Sequence, residues 1–159
     1  MTMLKRNVID FSIIFFIFLL DRFSKYFIIK LSNPIDEINI QINSFINFNL
    51  IWNKGIGFGL LSFDHNFLYN ILTFIIILIT IIILWYSQKT TGLEKISYLI
   101  IVGGSSGNIF DRIYYSSVAD FIDISINNFH WFIFNVADIF ISIGVITLIM
   151  IEIFYKKKI

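Results

Sequence analysis

From Phe67 to Tyr86 the chain reads FLYNILTFIIILITIIILWY, without a single charged side chain. An α-helix needs about 20 apolar residues to cross the hydrocarbon of a bilayer. There its backbone groups must be satisfied within the helix itself. A run of this kind constrains the fold more than any other feature of the sequence. Three further apolar segments accompany it, at about 8–29, 96–113 and 136–155. The segment at 96–113 is the weakest and is rich in glycine. With 57% hydrophobic residues and a mean hydropathy of +0.82, the chain exceeds what a small soluble core can hide. These observations predict an α-helical polytopic membrane protein with four transmembrane helices, forming a single membrane-embedded domain over 1–159.

The first segment follows Lys5 and Arg6, as a signal peptide would. Asp21, Arg22 and Lys25 occupy the place where a small-residue cleavage site belongs, so it reads as an uncleaved span. Four spans place Lys5, Arg6, Lys89, Lys95, Lys156, Lys157 and Lys158 on one side, which the positive-inside rule makes cytoplasmic. Both termini are then cytoplasmic, and the segments at about 30–66 and 114–133 face outward. In the first of these, INIQIN (38–43) alternates with period two, and INFNLIWNKGIGFGLL (46–61) continues with strand-forming residues and then glycines. A small extracytoplasmic β-sheet on the outer membrane surface is expected there, with the second outer segment read as a loop.

With this topology the polar residues converge at one depth. Asp21 and Lys25 lie one helical turn apart in the outer half of the first span. Asn108, Asp111 and Arg112 end the third span. Asn135 and Asp138 open the fourth, Asp120 and Asp123 lie in the loop between, and Asn53 comes from the first outer segment. Ionisable groups in a membrane are functional candidates by default. Each also has a plainer reading. Asp21–Lys25 is assigned as a structural ion pair. Asp111–Arg112 could fix a helix end, and Asn135 could cap the fourth span with Asp138 favoured by the helix dipole. Gly103 and Gly107 could serve helix packing. His65 and His130 read as interfacial surface residues, and Trp52 and Trp131 as an aromatic belt. Together the groups say more. There is no cysteine, and no serine–histidine arrangement is evident. Two close carboxylates that share one proton can activate water and protonate a carbonyl oxygen in turn. The net charge of +1, without a basic stripe, gives no sign of nucleic-acid binding.

At these residues the sequence resembles the signal peptidase II family of bacterial membrane aspartic proteases, over essentially its whole length. The family's D-x-x-T-K appears as DRFSK (21–25), and N-x-G-x-A-F as NKGIGF (53–58). G-G-x-x-G-N-x-x-D-R appears as GGSSGNIFDR (103–112), V-x-D-F as VADF (118–121), and F-N-x-A-D as FNVAD (134–138). Ser24, Gly57 and Ser105 depart slightly from the family's pattern.

The resemblance implies that Asp120 and Asp138 are the catalytic aspartates. It implies that Asn53, Gly55, Asn108, Asp111, Arg112 and Asn135 support the dyad and bind substrate, with Asp111 the chief rival for a dyad position. Asp123, outside the matched motif, is expected at the surface. The implied reaction is hydrolysis of the peptide bond before the diacylglyceryl-modified cysteine of bacterial prolipoproteins, without a metal or organic cofactor. The enzyme would act in the cytoplasmic (inner) membrane, among lipid, with its active site on the extracytoplasmic face and the outer strand segment and GIGFG loop as a movable cover; a monomer is the default expectation. Two other classes remain. Asp111, Asp120, Asp123, Asp138 and His130 could hold a divalent cation in a phosphotransferase-like site. The polar layer could also serve a non-enzymatic transport or assembly subunit.

Overall fold

The computed structural model describes residues 3–32, 39–55, 66–126 and 129–154. Eight elements follow in chain order: α1 (Met3–Leu31), β1 (Asn39–Gln41), β2 (Ile46–Asn53), α2 (Asn66–Ser87), α3 (Gly92–Tyr114), β3 (Val118–Ile126), β4 (Phe129–Phe134) and α4 (Val136–Phe154). The four helices fall on the four apolar segments, and α2 and α4 are each long and apolar enough to cross a membrane. Of the GIGFG loop only Gly55 is described; residues 56–59, Gly57 among them, lie outside the described residues, as do His65, Lys156, Lys157, Lys158 and the side chains of His130 and Trp131.

The polarity of the bundle is inverted relative to a soluble protein. Phe11, Phe16 and Phe23 on α1, Phe67, Phe74 and Ile81 on α2, and Ile146 and Phe154 on α4 are all exposed. Asp21, Lys25, Asp111 and Asn135 are fully buried. An apolar exterior of this extent calls for a hydrocarbon solvent.

Helix α3 packs against α1, α2 and α4, and glycine makes the close approaches possible. A Cβ on Gly103 would lie 2.9 Å from Ile17 Cβ of α1, and one on Gly104 would lie 2.6 Å from the Ala137 carbonyl oxygen of α4. At Gly107 it would meet the Asp21 carboxylate at 2.5 Å. The Gly103–Gly107 spacing is thus a packing seam, and it also makes room for a charged group.

The strands form one antiparallel sheet in the order β1-β2-β3-β4. The segment 114–133, expected as a loop, instead supplies the β3–β4 hairpin. The pattern Ile122-Asp123-Ile124-Ser125-Ile126 has the period of two that marks a strand. Its polar residues, taken as loop signals, belong to the alternation. Asp123, expected at the surface, is only 3% exposed because β3 is an inner strand, with Asn47 and Ile133 opposite it on either side. The edge strand β1 is exposed at all three residues rather than half-buried. Phe48, Leu50, Phe121 and Ile122 of the sheet pack with Ile28 of α1 and Val136 of α4, so the sheet docks on the ends of two helices.

At the opposite end of the bundle, Lys95 lies in the first turn of α3, where the sequence reading placed it in the connection between helices. Its ammonium pairs with Asp10 of α1 at 2.5 Å, and both residues are buried.

Candidate active site

Asp120 and Asp138 arrive from different kinds of element. β3 carries Asp120, and the first turn of α4 carries Asp138. An extra residue in β2 between Phe48 and Ile51 sets the register that places Asp120 opposite Ile51 and Asn53 opposite Val118. From there Asn53 Nδ2 donates to Asp120 Oδ2 at 2.9 Å, and Asn135 Nδ2 donates to Asp120 Oδ1 at 2.5 Å.

Asn135 also caps α4. Its Oδ1 accepts from the Asp138 backbone N–H at 3.0 Å, and its own N–H donates to Asp138 Oδ2 at 3.2 Å. This is a reciprocal capping box with Asp in the acidic position. One asparagine therefore holds both carboxylates. The helix cap, one of the readings weighed from sequence, thus belongs to the same set of bonds that reaches both carboxylates.

The other Asp138 oxygen, Oδ1, accepts from Asn108 Nδ2 at 2.8 Å. Asn108 has only one orientation available, because its Oδ1 accepts from the Lys25 ammonium at 2.9 Å and an ammonium has nothing but donors. Lys25 in turn pairs with Asp21 Oδ2 at 3.1 Å and Asp111 Oδ2 at 2.7 Å. A continuous chain of charge-assisted bonds thus runs from a buried ionic cluster to Asp138.

That cluster contains a residue the sequence reading named without giving it a role. Arg22 reaches Asp111 Oδ1 at 2.5 Å and Asp21 Oδ2 at 2.7 Å, and donates to the Gly107 carbonyl at 3.2 Å. Charge counting could have found it, because Asp21 and Asp111 at one buried depth require two cations and Lys25 is one. Arg112 is adjacent in sequence but turns elsewhere. It donates to the Gly55 carbonyl, with its guanidinium 5.3 Å from the centre of the Tyr69 ring. Asp111–Arg112 is therefore not an ion pair. Gly55 N–H donates to Asn53 Oδ1 at 2.7 Å, which ties the turn after β2 to the residue that holds Asp120.

Asp21 is more than a structural ion pair. Its Oδ1 accepts from the Ala137 N–H at 3.1 Å and so satisfies an orphan donor at the start of α4 from across the bundle. Asp111, the rival for a dyad position, is bound by Arg22, Lys25 and the Ala119 N–H at 3.3 Å, so its negative charge is fully matched. Asp120 differs. Its carboxyl is pushed up to about 6, first by burial and then by the negative charge of Asp138, against the pull of the Asn53 and Asn135 amides. None of the ion pairs among the described residues involves Asp120 or Asp138. No group of three or more metal-ligating side chains occurs among the described residues.

The family profile described as Signal peptidase (SPase) II matches residues 13–154. A lipoprotein signal peptidase of Pelagibacter ubique (strain HTCC1062) is 45% identical, over 98% of this chain and 93% of that protein. One from Wigglesworthia glossinidia brevipalpis is 42% identical, over 98% and 95%. Among solved structures, a bacterial membrane enzyme determined by the in meso method at 2.3 Å resolution superposes with a TM-score of 0.72 at 27% identity, covering 91% of this chain and 87% of that one. Full-length kinship, a shared fold and the arrangement of the motif residues agree: the chain belongs to the signal peptidase II family of bacterial membrane peptidases.

Proposed function

We propose that this peptidase is an aspartic endopeptidase whose dyad is Asp120 and Asp138. Its substrates are prolipoproteins, cut before the diacylglyceryl-modified cysteine. The observation that carries this reading is the bridge made by Asn135 between two carboxylates that have no ion-pair partner, beside two others whose charges are matched. Such a pair retains one shared proton. The ionised member takes a proton from water as the water oxygen attacks the scissile carbonyl carbon, and the protonated member gives its proton to the carbonyl oxygen. Collapse of the tetrahedral species returns a proton to the leaving amine and separates the signal peptide from the lipid-modified amino terminus. Asn53, Asn108 and Asn135 orient the two carboxyls, and Asp111 orders Arg22, Lys25 and the start of β3. Arg112 has a buried Nη1 with no hydrogen-bond partner among the described residues, a donor available to a substrate carbonyl beside Gly55. No step needs a metal or organic cofactor.

In this reading all four helices span the cytoplasmic membrane as one domain. The charges inside α1 and α3 are tolerated because they face each other. Lys5, Arg6 and Lys89 mark the cytoplasmic end, and the sheet and dyad lie at the extracytoplasmic surface. There the substrate's signal helix and acyl chains remain in lipid while water reaches the bond. A monomer contains the whole site.

The test is cleavage of a diacylglyceryl-modified prolipoprotein by membranes carrying wild type, Asp120→Asn, Asp138→Asn or Asp111→Asn, with and without EDTA. EDTA-resistant cleavage that disappears in the Asp120 and Asp138 variants and persists in part in the Asp111 variant is expected. Cleavage surviving Asp120→Asn but not Asp111→Asn would reassign the dyad.

A further inference from the structure

A cavity of about 380 Å³ lies in the groove between the outer half of α1 and the end of α3. It shares Arg22 and Lys25 with the ionic cluster but contains none of Asn53, Asp120, Asn135 or Asp138, so it is distinct from the peptidase site. Arg22, Lys25 and Lys30 bring three cations to its wall, Tyr26, Phe110 and Tyr115 bring rings, and no carboxylate among the described residues lines it. Asp21 and Asp111 already balance Arg22 and Lys25 from behind, so Lys30 is the charge in excess. Its ammonium makes no ion pair among the described residues and lies 5.9 Å from the Tyr26 ring centre. Arg22 has a donor to spare. Its Nε is buried with no hydrogen-bond partner among the described residues, while its guanidinium lies 4.7 Å from the Phe110 ring centre. A buried donor left unpaired costs free energy unless a ligand satisfies it.

The surroundings decide between a soluble anion and a lipid. Phe23, Phe27, Ile113 and Tyr114, on the same stretches of α1 and α3, are all more than half exposed, so the cavity opens among apolar side chains. Lys30, in the last turn of α1, lies at headgroup depth in the topology proposed above, and the placement of the ligand in the outer leaflet rests on that topology. A ligand that fits must present an anion to Lys30 and Arg22 and hydrocarbon to the helix faces. We infer that this groove binds the phosphodiester headgroup of an anionic glycerophospholipid, with its acyl chains along α1 and α3.

The test uses the full chain in neutral detergent. Native mass spectrometry follows retention of phosphatidylglycerol, of phosphatidylcholine with the same acyl chains, and competition by inorganic phosphate. Wild type retains one phosphatidylglycerol about fivefold in preference to phosphatidylcholine, the effect of one well-placed cation near a lipid phosphate. Lys30→Gln abolishes the preference. Lys89→Gln, whose ammonium lies over Trp85 at the other end of the bundle, leaves it intact. Lys30 lies outside the buried cluster, so its variant keeps the test decisive if Arg22→Gln fails to fold. Equal retention of the two lipids, an undiminished preference in Lys30→Gln, or full displacement by inorganic phosphate would each overturn the inference. Prolipoprotein cleavage assayed on the same preparations separates the two readings. Selective retention without cleavage would count against the peptidase assignment alone, and cleavage without selective retention against the lipid site alone.

Discussion

Asp120 is held by two neutral amides and faces a second carboxylate, and both its chemistry and its cost follow from that setting. Its carboxyl titrates at about 6 in the fold against an ordinary 3.8, so the folded state binds this proton more tightly than the unfolded chain does. Stability from this residue is therefore full below pH 3.8 and is lost as pH rises through 6, by about 3 kcal/mol at most. Asp120→Asn cannot titrate. Its stability relative to wild type is expected to move in the variant's favour by up to that amount between pH 4 and 7, as measured by unfolding in detergent. Cleavage by wild type should decline as pH rises above about 6, where the shared proton is lost, which a pH–rate profile reads directly. Asn135→Ala removes the amide bond to Asp120 and the α4 cap on the Asp138 N–H. We expect about 1 kcal/mol of destabilisation from the cap and a loss of cleavage on the order of a hundredfold. Asn135→Asp, which retains a capping oxygen but faces Asp120 with a third carboxylate, should lose cleavage while keeping the helix capped. These residues were legible in the sequence through their motifs. Arg22 was not given its role, because the i, i+4 pair Asp21–Lys25 looked complete until Asp111 was seen to need a cation of its own.

At the scale of elements, the site depends on how closely α1 approaches α3. Gly107 is the tightest point, where an added methyl would lie 2.5 Å from Asp21 Oδ2. Gly107→Ala should push the helices apart, loosen the bonds of Asp21 to Lys25 and to the Ala137 N–H, and cost about 1–3 kcal/mol together with most of the activity. Gly92→Ala makes a useful contrast. Gly92 has φ +63 and nothing within 4 Å of an added Cβ, so its cost is confined to local backbone strain of about 1 kcal/mol and cleavage should persist. Thermal unfolding and cleavage measured on the two variants would separate packing from strain. The helices were readable because long apolar runs and a lysine pattern give strong signals. The β3–β4 hairpin was not, because its alternation places Asp123 and Ser125 among isoleucines, and polar residues between two helices look like a loop. Burial of Asp123 is a property of an inner strand that no single segment announces.

At the scale of the whole molecule, the inverted polarity and the distribution of lysines predict which surfaces meet which compartment. The chain has no cysteine, so single introduced thiols report cleanly. Gln41→Cys, on the exposed edge strand, should react with a membrane-impermeant maleimide in intact cells stripped of their outer layers. Thr91→Cys, exposed between α2 and α3, should react only after permeabilisation. The reverse pattern would invert the topology. The Asn135 bridge has a further consequence for the life of the chain. In the reading proposed above, Asp138 arrives with a membrane helix and Asp120 with a hairpin that docks outside, and cleavage needs both. On that reading a nascent molecule whose helices have inserted but whose sheet has not closed should be proteolytically silent, and the competence to cleave should arise only once the hairpin has docked.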